Sequence, residues 1–133
     1  MTGDLLVNPI SFALSAYPTG WLRTLERIAE LEASTIVPGH GEPLHDRRLL
    51  DAHIAVFREL LRRGKEAKTH GQTADEAKAV ILPALRPLML AMTHDDPRLN
   101  RDFEVYLVDW YLHRVYEELD RPLSDDIAPI PRT

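Results

Sequence analysis

The spacing of apolar residues changes once along this chain, near residue 45, and that change limits what it can fold into. Before it, Leu5-Leu6-Val7 and Ser34-Thr35-Ile36-Val37 are short runs, the second β-branched and stopped by Pro38-Gly39, which predicts two short buried strands. Between them Leu22, Leu25, Ile28, Ala29 and Leu31 recur at helical spacing, with Thr19 as the N-cap. After residue 45 the period is helical throughout. Leu49/Leu50, His53/Ile54, Val56/Phe57 and Leu60/Leu61 mark one stripe of a helix from Asp46 to about His70, closed by Gly71. Thr73 with Glu76 has capping-box spacing and opens a helix that Pro83 and Pro87 divide on its way to Met92. Asp96-Pro97 starts the last helix, whose Phe103, Leu107, Trp110/Tyr111 and Val115 continue to about Asp120. The expected organisation is therefore a strand-helix-strand piece over residues 1–45, a helical extension over 46–120, and a loosely ordered tail over 121–133.

A length of 133 residues with 44% hydrophobic side chains suits one domain with a buried core. Acidic residues outnumber basic ones, 21 to 16, and the basic ones are scattered, so nucleic acid is not an expected partner. With no cysteine, any metal must be held by His, Asp or Glu. No apolar run reaches the length of a membrane span and the first residues do not read as a signal peptide, so no membrane partner is expected and the cytoplasm is the expected compartment.

Two short features carry chemistry. In Val37-Pro38-Gly39-His40-Gly41 an imidazole stands between glycines directly after an apolar run, where the backbone can come close to a bound ion. A Pro-Gly turn that happens to include a histidine has the same pattern. The other feature is Thr2-Gly3-Asp4, and the intervening helix makes the pair informative. Parallel neighbouring strands joined by a crossover helix would bring Asp4 and His40 to one edge, and an oxygen with a nitrogen donor suits Zn²⁺, Fe²⁺ or Mn²⁺. Two strands alone cannot form a stable sheet, so further structure is expected upstream or from a partner.

Thr2-Gly3-Asp4 and Pro38-Gly39-His40-Gly41 together resemble the closing half of the metallo-β-lactamase superfamily, whose TGD segment supplies a metal-bridging aspartate and whose PGHG loop supplies the last histidine. The resemblance covers about residues 2 to 45 and implies the C-terminal part of an αβ/βα sandwich carrying a helical extension. It further implies a hydrolase in which metal-activated water attacks an ester, thioester, lactone or related small-molecule substrate. Asp4 and His40 would be its metal ligands and catalytic residues, with one or two Zn²⁺ ions, or Fe or Mn, in the complete protein. The HxHxDH motif and middle histidine of that family have no match in this chain. Catalytic zinc needs about three protein ligands, so the chain alone is expected to be inactive.

The remaining histidines have plainer readings. His53 falls in an apolar stripe and is read as a half-buried packing residue, His45 as a surface loop position near His40, and His94-Asp95-Asp96 as a solvated turn with Asp96 as a cap. Tyr106, Trp110, Tyr111 and Tyr116 read as core, with Trp110 as a second choice for a pocket wall. The competing reading of the whole chain is a non-catalytic helical interaction module that forms homodimers through apolar helix faces left exposed.

Overall fold

The computed structural model describes residues 1–123, and the expected tail lies outside them beyond Leu123. The described residues are 66% helix and 2% strand, with no sheet among them, which overturns the expected α/β sandwich piece. Leu5-Leu6-Val7 does not form a strand, because Gly3–Leu5 closes a 3-10 turn with Gly3 at φ +57°. Ser34–Val37 is reduced to one antiparallel bridge between Ile36 and Leu44. The physical reason is the one that makes any two-stranded pairing marginal in water: neither run has a third strand to extend its hydrogen bonding.

Among the described residues six α-helices build the body: α1 (Pro18–Glu30), α2 (Arg48–Thr69), α3 (Ala74–Ala84), α4 (Arg86–Thr93), α5 (Pro97–Asp102) and α6 (Trp110–Asp120). A π-helical stretch, Phe103–Asp109, joins α5 to α6 without a break. Among the described residues no helix is long and apolar enough to cross a membrane. Local signals set most boundaries. Glu76 N–H donates to Thr73 Oγ1 at 3.1 Å while Thr73 N–H donates to Glu76 Oε2 at 3.0 Å, the reciprocal capping box at the start of α3. Asp96 accepts from Arg98 N–H at 2.9 Å at the start of α5. Gly71, at φ +77°, follows α2 where a left-handed residue ends a helix without steric cost.

α2 is the organising element, lying against α1, α3, α4 and α6. Its Leu50, Ile54, Val56, Phe57, Leu60 and Leu61 are buried, as are Phe103, Leu107, Tyr111, Leu112 and Val115 from the C-terminal helices. Phe57 stacks on Tyr111 with centroids 4.3 Å apart and rings 5° from parallel, and Trp21 of α1 packs on the same Phe57 at 4.6 Å. Gly64 permits a close crossing there: a Cβ on it would stand 3.0 Å from Leu112 and 3.2 Å from Val115.

α1 does not start at Thr19. Pro18 is its first residue, no side chain of its own caps it, and Glu118 Oε2 of α6 accepts from Thr19 N–H at 3.3 Å. A carboxylate at this helix end also complements the partial positive charge there. Two more groups of α6 hold the segment leading into α1, as the Tyr111 hydroxyl donates to Pro18 O at 2.8 Å and Arg114 Nε to Ala16 O at 2.7 Å.

His53 is fully buried rather than half-buried, and both ring nitrogens are engaged. Ser11 N–H donates to Nε2 at 3.2 Å, which leaves the proton on Nδ1, where it faces Leu49 O at 2.9 Å. The neutral ring thus ties the loop before α1 to α2. Burial pushes the imidazole down to about 4, against a smaller opposing effect of the Leu49 carbonyl. Unfolded, the ring takes up a proton near 6.5, so the unfolded state binds the extra proton first as pH falls. His53 therefore contributes stability that is full above pH 6.5 and lost progressively toward pH 4. Urea unfolding across that window should show wild type losing up to about 1.4 kcal/mol per pH unit more than His53→Gln. Equal slopes for the two proteins would show that the ring is not buried neutral.

Candidate functional site

Asp4 and His40 come together although the strands expected to carry them are absent. His40 Nε2 lies 3.1 Å from Asp4 Oδ1, and the two side chains are 72% and 79% exposed. Three backbone hydrogen bonds align their segments side by side in the same direction: Thr2 N–H to Val37 O at 2.9 Å, Gly39 N–H to Leu6 O at 3.0 Å and Asn8 N–H to His40 O at 3.1 Å. The pairing is parallel in sense, as a crossover connection requires, but the 3-10 turn at Gly3–Leu5 interrupts it.

Each segment has a further anchor. The Trp21 indole N–H donates to Leu5 O at 2.8 Å, fixing the turn that carries Asp4 to α1. On the other side Pro38 is buried, and Asn8 Nδ2 donates to Glu42 O at 3.2 Å across the loop that carries His40. Gly39 makes the approach possible, since a Cβ there would stand 2.5 Å from Asp4 Oδ1 and 2.6 Å from Gly3 O. Gly41, at φ +89°, takes the left-handed turn after His40 and packs directly against Asn8.

As it stands the pair is an exposed imidazole–carboxylate contact. The same separation suits two donors on one ion, because atoms each about 2.1 Å from a tetrahedral zinc lie roughly 3.4 Å apart. An oxygen with a nitrogen donor is an accepted set for Zn²⁺, Fe²⁺ or Mn²⁺. Among the described residues no third His, Cys, Asp or Glu joins Asp4 and His40 within ligand distance. His45 is an exposed loop residue and does not contribute.

The described residues do hold one group of three ligand atoms elsewhere, on Asp75, Asp109 and His113, all within 4.8 Å of one another. In sequence His113 stands as an ordinary helix position. The Asp109–His113 spacing of four along a helix was the available signal, but Asp75 comes from α3 and could not be placed beside them. Lys78 Nζ already sits 3.1 Å from Asp109 Oδ1, so a cation would meet an ammonium there. His94 forms the left-handed end of α4 at φ +51°, and Asp95 accepts from Asn100 Nδ2 at 3.0 Å, so that segment is a structured turn.

No protein-family model matches the chain, and no curated protein or solved structure matches it.

Replacing Gly39 by Ala should force the Asp4 turn away from the His40 loop and separate the pair, because the nearest obstructing atoms include the Gly3 backbone as well as a side chain. We expect a stability loss of about 1–3 kcal/mol, the usual size of overpacking, and His40 ring resonances close to those of an Asp4→Ala variant. A Gly39→Ala crystal structure retaining the 3.1 Å contact would contradict this account.

Proposed function

We propose that Asp4 and His40 supply two of the metal ligands of a hydrolase centre like that of the metallo-β-lactamase superfamily, with the cytoplasm as its compartment. The proposal concerns the ligand edge, not the sandwich, which the described residues do not form. The observation that carries it is the 3.1 Å pair itself, held by paired backbone and spaced by a glycine that could not bear a side chain. Asp4 brings negative charge and an acceptor-only oxygen, while His40 brings a ring nitrogen. Their exposure leaves one side open to further ligands and substrate. A bound Zn²⁺, Fe²⁺ or Mn²⁺ would supply Lewis-acid activation of water and of an ester, thioester or lactone carbonyl. The described residues present only these two ligands at this edge, so hydrolysis requires an assembly that also contains ligands of the HxHxDH kind.

A second reading is a helical interaction module. Its support is Phe12, Leu31 and Val80, which are 58%, 75% and 64% exposed. These lie on a loop, just after α1 and on α3, rather than along one helix stripe.

Titration of the 133-residue chain with Mn²⁺ should broaden the NMR signals of the His40 ring and the Gly39 and Gly41 amides first, with weak affinity. Asp4→Ala or His40→Ala should each weaken that binding by at least ~10-fold, the loss that even a supporting residue causes at a metal site. Broadening centred on His113, or unchanged binding in both variants, would remove the metal reading.

A further inference from the structure

Beside Asp4 a cleft of about 500 Å³ opens between the Gly3–Leu5 turn, the loop before α1 and the first turns of α1. Its walls include Leu5, Phe12, Tyr17 and Trp21, with Asp4 and the exposed Ser15 also lining it. No Lys, Arg or His lines it, and Asp4 is its one carboxylate. A carboxylate ligand would meet the Asp4 carboxylate, whereas a neutral apolar group gains from burial against Leu5 and the rings. The size lies within the usual range for small-molecule sites.

The cleft wall is held in place rather than collapsed. Phe12 packs on Tyr106 at 4.7 Å and edge-on to Trp110 at 6.3 Å, yet remains 58% exposed. Tyr106 belongs to the π-helical stretch, and its carbonyl accepts from Ala13 N–H at 2.8 Å, which anchors the loop bearing Phe12. Trp21 is fixed by its bond to Leu5 O, so one indole supports both the Asp4 turn and the cleft. Trp110 supports Phe12 from behind without lining the cleft itself.

We infer that this cleft takes the apolar acyl group of a neutral ester or thioester, with the carbonyl directed to the Asp4–His40 edge. The inference rests on the hydrolase reading of that edge and narrows its substrates to acyl compounds with an apolar, uncharged tail. Phe12 and Leu5 would then set the preferred acyl length.

The test uses N-methyl alkanamides of increasing acyl length as neutral, unreactive probes of the 133-residue chain without added metal, followed by NMR. The Trp21 indole N–H signal should move saturably, and affinity should rise with length, by up to about fourfold per added methylene. Phe12→Ala should flatten that dependence. Ser15→Phe, an exposed position on the cleft, should block the longer probes while leaving the fold intact. Affinity independent of acyl length would overturn the inference, as would shifts centred on the other large cleft, at Leu88, Met92 and Leu99. It would equally fall if Phe12→Ala altered sedimentation but not probe binding, since the patch would then be an interface between copies. Length-dependent binding in a chain that takes up no metal would overturn the hydrolase reading and the ester or thioester assignment with it, leaving only an apolar-chain cleft, whereas metal binding without length dependence would overturn the acyl cleft alone.

Discussion

The stack of Phe57 on Tyr111 joins the two helices on which everything else depends. It fixes α6 against α2 at the crossing that Gly64 keeps close, and Trp21 of α1 packs on the same ring. Because Tyr111 is held there, its hydroxyl reaches Pro18 O, and Arg114 three residues later reaches Ala16 O. Core packing is thereby converted into hydrogen bonds on the backbone that enters α1. From α1 the constraint passes through Trp21 to Leu5 and so to Asp4. The exposed pair at the surface is positioned by an apolar contact that neither residue touches.

Around that framework the polar groups separate into two kinds. His53 is buried, neutral and saturated by Ser11 and Leu49, and its role is to hold the loop before α1. Asp4 and His40 are solvated and have spare lone pairs or donors, so they can exchange their mutual contact for another partner at little desolvation cost. Arg62 and Arg63 on α2 both pair with Glu59 at the surface, an arrangement that stabilises modestly and leaves no reactive group.

Helices with strong local signals were legible in the sequence. The capping box at Thr73 and Glu76, the Asp96-Pro97 start and the apolar stripe of α2 all correspond to observed elements, because each depends on residues within a turn or two of one another. The strands were not legible correctly. Leu5-Leu6-Val7 and Ser34–Val37 have the composition of strands, but a strand exists only through its neighbours, and Gly3 turns the backbone before pairing can extend. The proximity of Asp4 and His40 followed from the crossover argument in its direction though not in its structure, since single backbone hydrogen bonds replaced a ladder. Ser11, Arg114 and Glu118 gave no sequence signal of their roles, as each acts on backbone that is distant in the chain.

The Glu118 carboxylate at Thr19 N–H has a consequence for the order of assembly. α1 has no local cap, and its first turn is completed by a residue 99 positions away. Closing so long a loop precedes any gain from the contact, so the first turn of α1 is completed only once α6 is in place. The Asp4 turn, hung from Trp21, must settle with it. Near-native openings that release α1 would then separate Asp4 from His40 while leaving the α2–α6 core intact, and native-state hydrogen exchange should find lower opening energies at Leu6 and Gly39 than at Phe57. The Asp4–His40 contact thus depends on a cap that spans most of the chain.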